Sequence, residues 1–133
     1  MAVVSTESVP IKSEPDVVAV RRRVREVSAQ LGLSLVDQTK IITAASELAR
    51  NTIIYGGGGA MQVETLNGPR VGLRLTFEDH GPGIPDIELA LRDGFTTGSG
   101  LGLGLGGSKR LVNEFDIVSR PGEGTRITIT RWK

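Results

Sequence analysis

The 133-residue sequence contains no cysteine, which excludes a disulfide framework, a thiolate zinc site, an iron–sulfur cluster and a cysteine nucleophile. Its one histidine, His80, rules out a multi-histidine metal centre. Neither sign of charge prevails. Sixteen Lys and Arg stand against 15 Asp and Glu, a formal net charge of +1, so no global field draws the chain to nucleic acid or to a membrane surface. Long apolar runs are missing too: none approaches the roughly 18 residues needed to cross a bilayer. The opening stretch, Met1-Ala2-Val3-Val4-Ser5-Thr6-Glu7, has neither a basic segment nor an extended apolar one, so it does not read as a secretory leader. A soluble, cytoplasmic protein is the expectation. Aromatic residues are few, with three Phe, one Tyr and one Trp.

Glycine is what the sequence has in excess. Its 18 glycines crowd at 56–59, 81–83, 98–107 and 122–124. Each costs roughly 0.5–1 kcal/mol in regular structure, so such clusters mark backbone packed closely against something, or loops that move. The length suits one domain over residues 1–133, with residues 1–7 expected as a flexible tail.

The apolar periodicity places the elements. Val9 to Lys12 suits a short edge strand, because Pro10 cannot serve a sheet centre. Ser13 caps a helix whose first turn holds Glu14, Pro15 and Asp16, and Val17, Val20, Val24, Val27 and Leu31 form its apolar stripe. Arg21, Arg22, Arg23 and Arg25 fall mostly off that stripe, as a solvated face or a surface for a partner protein. Ser34 caps a second helix that carries Ile41, Ala45, Leu48, Ala49 and Thr52 on one side and runs to Tyr55. From Ala60 the period becomes two, with a turn at Asn67-Gly68 and a longer strand ending at Glu78-Asp79. A short helix is expected from Pro85-Asp86 to Leu91, a structureless loop over Gly94–Gly107, a helix over Ser108–Phe115, and a closing hairpin of 116–120 and 125–131. Paired strands with helices between them predict an α+β sandwich: one mixed sheet with helices on one face.

Three segments carry chemistry. The loop Gly98-Ser99-Gly100-Leu101-Gly102-Leu103-Gly104 exposes successive backbone N–H groups ahead of a helix, a cradle suited to phosphate. It is neither a dinucleotide fingerprint nor a Walker loop, because no strand precedes it and Gly107-Ser108-Lys109 inverts the required order. Asp79-His80-Gly81-Pro82-Gly83-Ile84-Pro85 sets a carboxylate at a strand end beside bare backbone. Such an acid can accept from an exocyclic amine while glycine admits a flat ring; the segment alone also reads as a charged turn. Glu47 and Asn51 are four apart, on one helix face. The carboxylate can serve as a general base and the amide oxygen can ligate a hard cation, although an exposed polar edge has the same pattern.

Taken in this order, these segments resemble the GHKL ATP-binding superfamily (gyrase, Hsp90, histidine kinase, MutL). Its N, G1 and G2 boxes match Glu47…Asn51, Asp79-x-Gly81-x-Gly83 and Gly100-x-Gly102-x-Gly104, with Gly124-Thr125 as a fourth element. Within it, Ser46-Glu47-Leu48-Ala49-Arg50-Asn51, the Asp79–Asp86 run and Asp93-Gly94-Phe95 are very like the small stand-alone serine/threonine kinases of bacterial partner switching, the RsbT-type switch kinases of the stressosome. The resemblance implies a Bergerat-type two-layer sandwich with a mixed, mostly antiparallel sheet and a glycine-rich ATP lid. It implies ATP and Mg²⁺ as cofactors. Asp79, with Thr125, would receive the adenine amine, beside Gly81, Gly83 and Ile84. Asn51 would hold Mg²⁺, and Glu47 would deprotonate a substrate serine. Gly100, Leu101, Gly102, Leu103 and Gly104 would form the lid, with Lys109 near phosphate. The implied partners are a STAS-domain antagonist or scaffold as substrate and a PP2C-type phosphatase to activate. The alternative is an anti-sigma factor of the same fold, whose usual Thr-Asn-Ala pattern Ala49-Arg50-Asn51-Thr52 does not follow. The oligomeric state stays open, a homodimer included.

Overall fold

A computed structural model describes residues 2–84, 86–92 and 104–133. The chain runs β1 (Ala2–Ile11), α1 (Glu14–Gln30), α2 (Leu35–Ile54), β2 (Gly59–Asn67), β3 (Gly72–Asp79), α3 (Ile87–Ala90), α4 (Gly104–Arg110), β4 (Glu114–Arg120) and β5 (Gly124–Trp132). The five strands form one sheet in the order β1-β2-β3-β5-β4, and every neighbouring pair is antiparallel. The expected α+β class holds, with helices on one face, but the sheet expected to be mixed is antiparallel throughout.

Both long helices follow from their sequence signals. The Asp16 carboxylate reaches back to the backbone N–H groups of Lys12 and Ser13, at 2.7 and 3.3 Å, and so satisfies donors that the first turn of α1 leaves orphaned. The Ser34 hydroxyl accepts from the Asp37 N–H at 3.1 Å and starts α2. Val17, Val20, Val24 and Val27 of α1 and Ile41, Ala45, Leu48 and Ala49 of α2 are buried. They meet Met61, Val63, Leu73, Leu75, Phe77, Ile127 and Ile129 from alternate positions of the central strands. The other sheet face is polar, with an Arg74–Glu64 ion pair across β2 and β3 at 2.9 Å that holds the Arg74 guanidinium above its usual pKa.

Two further expectations need correction. Residues 2–7 are not a flexible tail, because β1 begins at Ala2 and pairs with β2 from Ala2↔Asn67 to Ile11↔Gly59. A fork adds to this ladder: the Arg23 guanidinium of α1 donates to both oxygens of Glu7, its closest nitrogen at 2.6 Å. Arg23 is therefore bound, whereas Arg21, Arg22 and Arg25 are exposed. Pro10 does lie on an edge strand, as expected.

The second correction concerns the glycine-rich segment. The helix expected over Ser108–Phe115 instead spans Gly104–Arg110, and Phe115 belongs to β4. Leu105, Gly106, Gly107 and Ser108 are all buried. A Cβ at Gly106 would come within 2.3 Å of the Leu91 carbonyl oxygen, so glycine here allows backbone to pack on backbone. That contact overrides the poor intrinsic helix propensity of glycine.

Candidate functional site

The topology brings two of the chemistry-bearing segments, and Gly104 from the end of the third, around one cavity of about 510 Å³. α2 crosses the sheet with Glu47, Leu48, Asn51, Thr52 and Tyr55 along one wall. The opposite wall comes from the sheet: Phe77 and Asp79 of β3, and Thr125 and Ile127 of β5. Gly83, Ile84 and Asp86 follow Asp79 along the rim, and Leu89 and Ala90 of α3 with Gly104 and Leu105 of α4 complete it. The lining is mainly apolar, with polar groups at two ends, as expected of a small-molecule site.

At one end Asp79 and Thr125 face each other as register partners of β3 and β5. Asp79 Oδ1 accepts from the Gly81 N–H at 2.9 Å, which fixes the carboxylate. The carboxylate lies over Gly56, where an added Cβ would stand 2.3 Å from Asp79 Cγ. Thr125 Oγ1 lies 2.8 Å from Ser119 Oγ, and Ser119 Oγ also receives the Ile84 N–H at 2.7 Å. Asp86 caps α3 through the Leu89 N–H at 3.0 Å.

At the other end are Glu47 and Asn51, one helical turn apart on α2. Arg50 Nη1 stands 3.5 Å from Glu47 Oε1, and Arg50 Nε stands 3.7 Å from Glu14 Oε1 on α1. The Glu47 side chain is 14% exposed while Glu14 is 69% exposed, so the guanidinium spans from solvent to the cavity wall.

Six expected site residues therefore share one cavity: Glu47, Asn51, Asp79, Gly83, Ile84 and Thr125. Gly104 also reaches it, as the first residue of α4. Gly100, Leu101, Gly102 and Leu103 lie outside the described residues. Lys109 is exposed on α4 and is not among the residues that line the cavity. Gly81 is not a bare wall for a ring: a Cβ there would meet Gly56 Cα at 2.7 Å, so its missing side chain makes room for the end of α2. At Gly83 (φ +81°) an added Cβ would stand 2.4 Å from the Arg120 carbonyl oxygen. Ser119 escaped sequence reasoning, because one serine in an alternating strand carries no motif. Phe77, Leu48 and Ile127 also escaped it, because a residue that packs the core and walls a pocket has only the core's periodicity.

The donor set fits a nucleotide with a divalent cation. Among the described residues no cluster of three or more His, Cys, Asp or Glu could hold a metal ion unaided. Mg²⁺ commonly takes one or two protein oxygens and completes its shell with phosphate and water, which suits an amide oxygen at Asn51. Among the described residues, no helix is long and apolar enough to cross a membrane.

Comparisons with known proteins show the family. The profile of the histidine kinase-, DNA gyrase B- and HSP90-like ATPases matches residues 36–133. The chain is 48% identical over 125 residues to the serine/threonine-protein kinase RsbT of Bacillus subtilis (strain 168), covering 93% of this chain and 94% of that one. It is 32% identical over 117 residues to the anti-sigma F factor of Thermoanaerobacter sp. (strain X514), covering 84% and 82%. Among solved structures, the RsbU and RsbW domains of a Mycobacterium tuberculosis protein superpose with a TM-score of 0.69 at 23% identity, over 97% of this chain and 32% of that one. That last likeness concerns the fold alone. With that match covering most of its length, the chain belongs to the histidine kinase-, DNA gyrase B- and HSP90-like ATPase family.

Proposed function

We propose that this chain is an ATP-dependent serine/threonine protein kinase of a bacterial partner-switching pathway. The observation that carries the reading is that Glu47, Asn51, Asp79 and Thr125 all line a single cavity, with Asp79 against Gly56 just past the end of α2 and Glu47 farther back along that helix. That spacing suits a purine held at the sheet end with its triphosphate extended toward α2. The 48% identity to a serine/threonine-protein kinase over nearly the whole chain supports it.

In this reading Asp79 accepts from the adenine amine. The amide oxygen of Asn51 holds Mg²⁺, whose chemistry is to screen the phosphate charge. Glu47 takes the proton from a substrate serine as the serine oxygen bonds to the γ-phosphorus and the bond to ADP breaks. Arg50 keeps the Glu47 carboxylate at the wall. Gly104, at the start of α4, meets the phosphates. The substrate is a serine on a STAS-domain antagonist, and once released from it the kinase binds and activates a PP2C-type phosphatase.

The test is transfer from ATP to candidate STAS-domain proteins, with phosphoserine mapped by mass spectrometry. Glu47→Ala should bind ATP normally and lose transfer by about 10²–10⁴-fold, the usual weight of a general base. Wild-type transfer by that variant overturns the base assignment. The similarity to anti-sigma F factors favours a second reading, an anti-sigma factor of this fold. Capture of an RNA polymerase sigma subunit by the purified chain, in place of STAS proteins or a phosphatase, would select it.

A further inference from the structure

Ser119 lies on β4, outside the cavity lining, yet its hydroxyl is shared among three groups around the Asp79 end. It receives the Ile84 N–H at 2.7 Å, lies 3.2 Å from the carbonyl oxygen of buried Gly124, and lies 2.8 Å from Thr125 Oγ1. A hydroxyl has one proton and two acceptor positions. The amide can only donate and the carbonyl can only accept. All three contacts are satisfied together in one way: Ser119 gives its proton to Gly124, and Thr125 gives its own proton to Ser119.

We propose that Ser119 is a positioning residue that commits the Thr125 proton away from the cavity and so sets a preference for a 6-amino purine. With its proton engaged, Thr125 Oγ1 offers only lone pairs to the cavity. Its register partner Asp79 offers a carboxylate oxygen not used by the Gly81 N–H. Two neighbouring acceptors suit an exocyclic amine and oppose a carbonyl oxygen at the same ring position. A site that leaves polar groups unpaired rejects the wrong ligand far more strongly than a pocket that merely fits poorly. This inference rests on reading the cavity as an adenine site.

The experiment compares dissociation constants for ATP and inosine triphosphate, which carries a carbonyl where ATP carries the amine. In Ser119→Ala the Thr125 hydroxyl is free to turn and donate to that carbonyl, so the preference for ATP should narrow by about tenfold. Ser119→Thr, which keeps the hydroxyl, should retain the wild-type ratio. Because Ser119 acts through Thr125, adding Ser119→Ala to Thr125→Val should change the ratio no further. Equal weakening of both nucleotides by Ser119→Ala marks a purely structural role and overturns the proposal, as does a further drop in the double variant. Should Ser119→Ala fail to fold, the ratios of Ser119→Thr and Thr125→Val decide: an unchanged ratio in Thr125→Val, or a collapsed one in Ser119→Thr, overturns it. Asp79→Asn is the control. If it binds ATP like the wild type, the adenine reading falls and takes this inference with it. If it loses ATP while Ser119→Ala keeps the wild-type ratio, only the role of Ser119 is lost.

Discussion

Arg50 sits between two carboxylates, 3.5 Å from Glu47 and 3.7 Å from Glu14, and so links the cavity wall on α2 to the first turn of α1. Glu47 is largely withdrawn from water, and Arg50 is its cationic partner among the described residues. In the proposed role of base to a serine hydroxyl, a carboxylate must come within hydrogen-bond reach and is sensitive to small displacements. Arg50→Gln should therefore lower kcat roughly tenfold while leaving the ATP dissociation constant unchanged. Arg50→Lys should recover part of the loss. Steady-state kinetics with titrated ATP checks this, and a loss confined to ATP affinity would place Arg50 in nucleotide binding instead.

The first strand provides a second prediction. Glu7 and Arg23 are both partly exposed, yet the geometry is a two-pronged fork, the strongest form of a surface pair. The Glu7 hydrogen bond also holds the Arg23 guanidinium above its usual pKa. Glu7→Gln should cost about 1 kcal/mol or less of global stability. Its clearer effect should be local, with faster hydrogen exchange at the β1 amides and little change at β3. Uniform exchange across the sheet would show that β1 is held by its ladder alone.

Acid should loosen the junction of α2 with β5. Arg131 donates to Asp37, and this hydrogen bond, aided by Ser34 and by the charges of Arg131 and Lys40, holds the Asp37 carboxyl below the usual carboxylate range. A carboxyl whose folded value is depressed stabilises the fold fully above its unfolded value, about 3.9, and loses that contribution as pH falls through the folded value. Asp37→Asn should therefore lower the melting temperature near neutral pH, and the difference from wild type should shrink below about pH 4. A difference that is constant with pH would assign the effect to packing.

These residues also show what could and could not be seen in the sequence. The two long helices were legible because buried valines, leucines and alanines recur at the helical period beside capping residues Ser13, Asp16 and Ser34. The boxes around Glu47, Asn51 and Asp79 were legible because their residue types and order are unusual together. The end of β1 was legible at Val9 to Ile11, but its first part was hidden because an edge strand buries little: Val3 and Val4 are exposed and Glu7 points to an arginine. The start of α4 was hidden because its glycines answer to a neighbouring backbone, and no local propensity reports a contact with Leu91. Ser119 was hidden for a related reason, since its three partners come from separate segments.

Gly56 and Gly57 offer a final, sharper test of the Asp79 end. They are adjacent in sequence and close the same helix, yet they serve opposite needs. Gly57 has a positive φ of +73° and nothing within 4 Å of an added Cβ, so Gly57→Ala meets backbone strain alone, about 1 kcal/mol or slightly more. Gly56 has no positive φ, so alanine suits its backbone, but the new methyl would lie 2.3 Å from Asp79 Cγ and 2.6 Å from Asp79 Oδ2. The methyl must displace the carboxylate or the end of α2. Gly56→Ala should thus abolish measurable ATP binding by calorimetry with the helical circular-dichroism signal kept, while Gly57→Ala should melt slightly earlier and bind ATP normally. The reverse outcome would mean that the carboxylate at position 79 tolerates displacement, and would count against its proposed role as adenine acceptor.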